Sequence, residues 1–111
     1  MSKTGKVFYQ NIFAGSISED ENGISFTYDK EYLLNKEAKP VSLTLPLREK
    51  GYTSKNMIPF FDGLIPEGWL LDIARTNWKI NPRDRMELLL TFCNDTIGAV
   101  SVERINSEEN L

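Results

Sequence analysis

An α+β fold, an antiparallel sheet with three or so helices packed on one side of it, is what this 111-residue sequence predicts. Three observations carry the prediction. The first half alternates apolar and polar residues with period two, the second half repeats its apolar residues at helical spacing, and a strand-like run returns near the C-terminus. The length suits a single domain, residues 1–105, with a polar tail at 106–111.

Val7–Gln10 is rich in β-formers, and Phe13–Ser18 follows it as a second short run. Ile24, Phe26 and Tyr28 then alternate with Ser25 and Thr27, as in a half-buried strand. Before them, Glu19-Asp20-Glu21-Asn22-Gly23 ends in Asn-Gly, a hairpin signal. Val41, Leu43, Leu45 and Leu47 alternate with Ser42, Thr44 and Pro46 and predict a further strand. Pro40 and Pro46 lack a ladder N–H, which confines that strand to an edge or to strand ends.

After Gly51 the pattern changes. Lys55–Leu64 predicts a short helix that stops near Asp62-Gly63. Pro66 suits the first turn of a helix reaching about Trp78, because its missing N–H would have no partner there. Leu70, Ile73 and Ala74 form the core stripe of that helix. Asn81 offers a cap to the next helix and Pro82 its first position, while Asp84 and Glu87 place negative charge at the positive end of the dipole. Met86, Leu89, Leu90 and Cys93 recur at i, i+3, i+4 and i+7, the pattern of a buried helix face. Asn94-Asp95 ends the helix and Ile97–Val102 returns as a strand.

Composition excludes several chemistries. The chain has no histidine, which removes the usual general base and the commonest metal ligand together. With one cysteine besides, neither a structural zinc site nor a Ser–His–Asp or Cys–His nucleophile can be assembled, so no metal and no cofactor are expected. Neither a G-x-G-x-x-G nor a G-x-x-x-x-G-K-[ST] run occurs. Thirteen basic against sixteen acidic residues give a net charge of −3, which provides no electrostatic footprint for nucleic acid. Arg75, Lys79, Arg83 and Arg85 do cluster at a helix–turn–helix spacing, but the second helix is too apolar to lie in a groove of DNA. No apolar run approaches membrane-spanning length, no signal peptide is evident, and the lone Cys93 fits a reducing, cytoplasmic setting.

The densest unusual segment is Ile58–Leu71, in which two prolines and two glycines stand among large apolar side chains. Gly and Pro preset the backbone, so the aromatic groups would be displayed on a stiff scaffold. Phe60, Phe61 and Leu64 have a plain reading as core. Trp69 differs, because Trp69, Leu70 and Leu71 cannot all point inward from one helical turn. Trp69 therefore either packs beneath a loop or meets a partner as a binding hot spot. Asp62 and Glu67 are close enough in sequence to suggest an acid–base or Mg²⁺ pair, but nothing else supports that, and the dipole explains Glu67.

Taken in order, Val7–Gly15, Ile24–Tyr28, Val41-Ser42-Leu43-Thr44-Leu45-Pro46-Leu47, Phe60–Gly68, Asn81-Pro82-Arg83-Asp84 and Asp95–Val100 resemble successive motifs of one family. That family is the N-terminal subdomain of HipA-type serine/threonine kinases, the toxins of bacterial toxin–antitoxin systems, with its "S-L-x-L-P-L", "F-F-x-G-L-L-P-E-G", "S-P-R-D" and "D-x-x-G-A-V" segments. The resemblance spans about residues 5–104. The kinase core that follows this subdomain in the family has no counterpart here, so the chain is similar to the small HipS-like subunit of split systems. That resemblance implies a non-catalytic antitoxin that binds a separate HipA-like (HipT-like) kinase chain. A third, helix-turn-helix component would handle DNA, reached through the kinase, with no direct nucleic-acid or membrane contact. The alternative is an N-terminal piece or accessory activator of such a kinase, inactive by itself. Trp69, with Phe61, Asp62, Leu64, Pro66, Glu67 and Leu71, is the expected partner-binding set.

Overall fold

The computed structural model describes residues 3–65, 84–94 and 98–105. Five strands form one antiparallel sheet: β1 (Lys3–Tyr9), β2 (Ile12–Asp20), β3 (Gly23–Tyr28), β4 (Tyr52–Ser54) and β5 (Val100–Ile105). Their spatial order is β4-β3-β2-β1-β5, which puts the C-terminal strand beside the N-terminal one. Among the described residues there are three helices, α1 (Lys30–Leu34), α2 (Pro59–Asp62) and α3 (Arg85–Phe92). The α+β, antiparallel expectation is met. None of these helices is long and apolar enough to cross a membrane.

Two tight turns build the meander. Gln10 and Asn11 have φ of 49° and 67°, and a pair of left-handed residues is what a two-residue loop needs to match the twist of its strands. At the next turn, Asp20 pairs with Gly23, and the Asp20 carboxylate accepts from the Asn22 N–H at 2.8 Å. The left-handed conformation falls on Gly23, at φ 130°, and not on Asn22. A Cβ at Gly23 would also stand 2.2 Å from the Ser54 carbonyl of β4, so this glycine serves both the turn and the edge strand. Opposite Val7 and Phe8 stand Gly15 and Phe13, leaving Ala14 as the extra residue of a β-bulge.

The alternation read in β3 holds: Ile24, Phe26 and Tyr28 are buried. They join Val7, Ile17, Phe61, Val102 and the α3 residues Met86, Leu88, Leu89, Leu90 and Cys93 in one core. The expected i, i+3, i+4, i+7 stripe of α3 is thus buried throughout. Its start is corrected. The N-cap is Asp84, whose carboxylate accepts from the Glu87 N–H at 3.0 Å, and helix begins at Arg85; the expected cap Asn81 and first position Pro82 lie outside the described residues. Lys3 pairs with Asp84 and Glu87, and Arg104 with Glu87, so the first turn of α3 is tied to β1 and β5. Partial burial works against ionising Asp84 and Glu87. The Lys3 ammonium and the Glu87 N–H beside Asp84, and the Arg104 guanidinium beside Glu87, outweigh it and hold both carboxyls below their ordinary values.

The strand predicted at Val41–Leu47 does not form. Residues 41–47 make turns, and tyrosine hydroxyls hold them in place. Tyr28 donates to the Leu45 carbonyl and accepts from the Val41 N–H at 3.0 Å. Tyr32 donates to the Lys39 carbonyl at 2.6 Å, and Tyr52 to the Pro46 carbonyl at 2.5 Å. Backbone groups that a ladder would have paired are satisfied by side chains instead. Two further differences are additions: α1, capped by the Asp29 carboxylate on the Tyr32 N–H, and the three-residue β4. The helix expected at Lys55–Leu64 shortens to Pro59–Asp62, with Pro59 at its first position.

Candidate partner-binding site

Residues 58–65 are positioned from below. Ile58 is buried and caps α2, and the Phe61 ring is completely buried, 5.2 Å from the rings of both Phe26 and Phe60. Asp62 accepts from the Arg85 guanidinium at 2.6 Å, which joins α2 to α3. The segment leaves α2 through Leu64 N–H to Phe61 carbonyl and Ile65 N–H to Asp62 carbonyl bonds of 3.1 and 3.3 Å. Beneath it the Cys93 thiol donates to the Leu64 carbonyl at 3.4 Å. Burial pushes that thiol up to about 11, as for an inert core cysteine.

The expected partner-binding set therefore divides. Phe61 lies in the core and acts as support, not as a contact, because a side chain with no exposed surface cannot touch a partner while the domain stays folded. Asp62 is half-exposed and already paired with Arg85, so one member of the basic cluster is an intramolecular ion-pair partner. Leu64 is half-buried and lines a groove. Pro66, Glu67, Trp69 and Leu71 lie outside the described residues, as does the helix expected from Pro66 to about Trp78. Among the described residues, no three His, Cys, Asp or Glu side chains converge to hold a metal ion.

The groove beside Leu64 has a volume of about 440 Å³, and Tyr9, Val41, Leu43, Phe60 and Val100 also line it. Leu43 is the residue that sequence reasoning missed. On a strand it would have faced inward with Val41 and Leu45, but at the turn it is 94% exposed. A signal was present: Ser42 and Thr44 flank it, and short hydroxyl side chains bond to nearby backbone and so favour turns.

Fold and site together define a small α+β module that offers a supported apolar groove. The chain belongs to the HipA N-terminal domain family, whose sequence profile matches residues 5–103. Among solved structures, an N-terminal domain of HipA toxin superposes with a TM-score of 0.71 at 27% identity, covering 94% of this chain and 93% of that one. An uncharacterised protein of Haemophilus influenzae is 32% identical over 101 residues, 91% of this chain and 92% of its own length. A candidate kinase of Sinorhizobium fredii, Y4mE, is 27% identical over 97 residues, which are 86% of this chain but 23% of that protein.

Proposed function

We propose that this chain is a non-catalytic kinase-binding subunit, the antitoxin that restrains a separate HipA-like serine/threonine kinase toxin. One observation carries the reading. The same domain makes up nearly the whole of the H. influenzae relative and under a quarter of the candidate kinase Y4mE. A domain that accompanies a kinase core within one chain has a surface suited to that core, and the same surface can serve a kinase supplied as a separate chain. The absence of histidine agrees, since an imidazole-free module occupies a site more readily than it runs one. The match to Y4mE also favours a second reading, an N-terminal piece or accessory activator of such a kinase.

The expected contact is the segment running from Leu64 to Leu71, with Trp69 as anchor and the buried Phe61 fixing its entry. Co-expression with any HipA-like kinase encoded beside this chain tests the role in a growth assay. The wild type restores growth. Trp69→Ala costs ~2–4 kcal/mol of binding, as truncation of a hot-spot aromatic does, and growth fails again. Rescue by Trp69→Ala equal to wild type removes Trp69 from the mechanism, and growth impaired further by the wild-type chain makes it an activator. The purified chain is expected to turn over neither ATP nor generic phosphoesters. Turnover abolished by Asp62→Ala would make it an enzyme.

A further inference from the structure

Single exposed leucines are ordinary on protein surfaces, but Leu43 stands at the apex of a turn that is fixed on both sides. Val41 and Leu45 are buried, and the one Tyr28 hydroxyl bonds to the backbone of each. Across the apex the Ser42 and Thr44 hydroxyls lie 2.9 Å apart, and the Leu45 N–H donates to the Ser42 carbonyl at 3.0 Å. The turn is thus pinned around a side chain that water surrounds, and a side chain held this way loses little freedom when something packs on it.

The groove at its foot has the composition of an interface centre. Of the chain as a whole 26% is charged, yet among the described residues none that lines this groove is. Depletion of charge is what separates the centre of a protein interface from ordinary surface. Charged residues reappear next door, where Lys36, Glu37 and Lys39 line a second cleft that shares Tyr9 with the first. Leu64, a half-buried member of the expected partner-binding set, lines the same groove as Leu43. The groove therefore reaches that set at Leu64, although twenty residues of sequence lie between the two leucines.

We infer that the Leu43 turn and the largely apolar described lining of the groove beside it form a docking face for an apolar segment of the HipA-like kinase chain, Leu43 entering a pocket on the kinase and the groove receiving the pocket's rim. This rests on the kinase-binding reading above. The occupant follows from the relatives: where the domain is 23% of a longer chain, the rest of that chain is at hand to cover such a face, and a separate kinase would cover it here.

The test measures the affinity of this 111-residue chain for any purified HipA-like kinase encoded beside it, by calorimetry. Leu43→Asp is expected to weaken binding at least about 100-fold and Leu43→Ala about 10-fold, in the range of a central hot spot. Leu34→Asp, at a position 82% exposed on the end of α1 and outside the groove, stays within about two-fold of wild type. All three keep the wild-type melting temperature, since neither leucine fills the core. Wild-type affinity in Leu43→Asp sinks this face and leaves the kinase-binding reading intact, whereas no binding by the wild type sinks both. A wild-type dimer dispersed by Leu43→Asp, with kinase affinity unchanged, makes a second copy the occupant and overturns the inference.

Discussion

Replacing Tyr28 by Phe removes one oxygen atom and should unpin the turn that carries Leu43. The hydroxyl donates to the Leu45 carbonyl and accepts from the Val41 N–H, and all three residues are at least 95% buried. A buried backbone group that loses its partner costs about 1–3 kcal/mol, and two are orphaned here. The turn's outer side is wet, so water can reach one of them after a small movement, and the expected loss is about 2–4 kcal/mol. With a urea m-value of about 1.5 kcal/mol/M, the midpoint falls by roughly 1.3–2.7 M at unchanged slope. Alkaline pH supplies an internal control. Burial pushes the Tyr28 phenol up to about 12, against an ordinary value of 10. Its contribution to stability is therefore complete below pH 10 and is lost as pH rises through 12. Over that window the gap between wild type and Tyr28→Phe should narrow by about 2–3 kcal/mol. A loss under about 0.5 kcal/mol at pH 7, with no narrowing above pH 10, would refute the claim that this hydroxyl organises residues 41–45.

Gly23→Ala combines a left-handed φ of 130° with a Cβ 2.2 Å from the Ser54 carbonyl, so β4 must separate from β3. A loss of about 3 kcal/mol is expected in urea unfolding, with faster amide exchange at Tyr52–Ser54. Asp84→Ala removes the N-cap of α3 and the Lys3 pair together, at a cost of about 1–2 kcal/mol at pH 7. Because the Asp84 pKa is lowered in the folded chain, this contribution is present above the ordinary carboxylate value and fades as pH falls through the lowered one. The two proteins should therefore converge in stability in acid, which thermal melts at successive pH values can follow.

Elements whose cause is local were legible in the sequence. The alternation of β3 and the helical stripe of α3 each state which side chains turn inward, and both are buried as read. Residues 41–47 were misread because alternation is also produced by a loop whose apolar residues dip in turn. Val41 and Leu45 go in while Leu43 comes out, under hydroxyls from β3, α1 and β4 that no local window contains. Neither α1 nor β4 was read, because five residues of helix carry too little periodicity to register and three residues of strand carry none. In the candidate site the aromatic and Gly/Pro content of Ile58–Leu71 was visible. The plain core reading of Phe61 holds, but the approach of Leu43 to Leu64 was not visible, since it depends on contacts between distant segments.

The consequence for the site is that rigidity and contact reside on different residues of one segment. Phe61 is gripped by Phe26 and Phe60, Asp62 by Arg85, and the Leu64 carbonyl by Cys93, so the backbone entering residue 65 is held from three sides before anything binds. Ordering a loop during association costs about 0.5–1.5 kcal/mol for each side chain immobilised, and a segment fixed in advance avoids part of that cost. The Leu43 turn is fixed by a separate device, the Tyr28 hydroxyl, yet meets Leu64 at the same groove. Two independently pinned pieces of chain converging on one groove is costly to maintain for packing alone, because the groove between them stays unfilled. That arrangement is better explained by a partner that fills the groove than by the stability of the isolated domain.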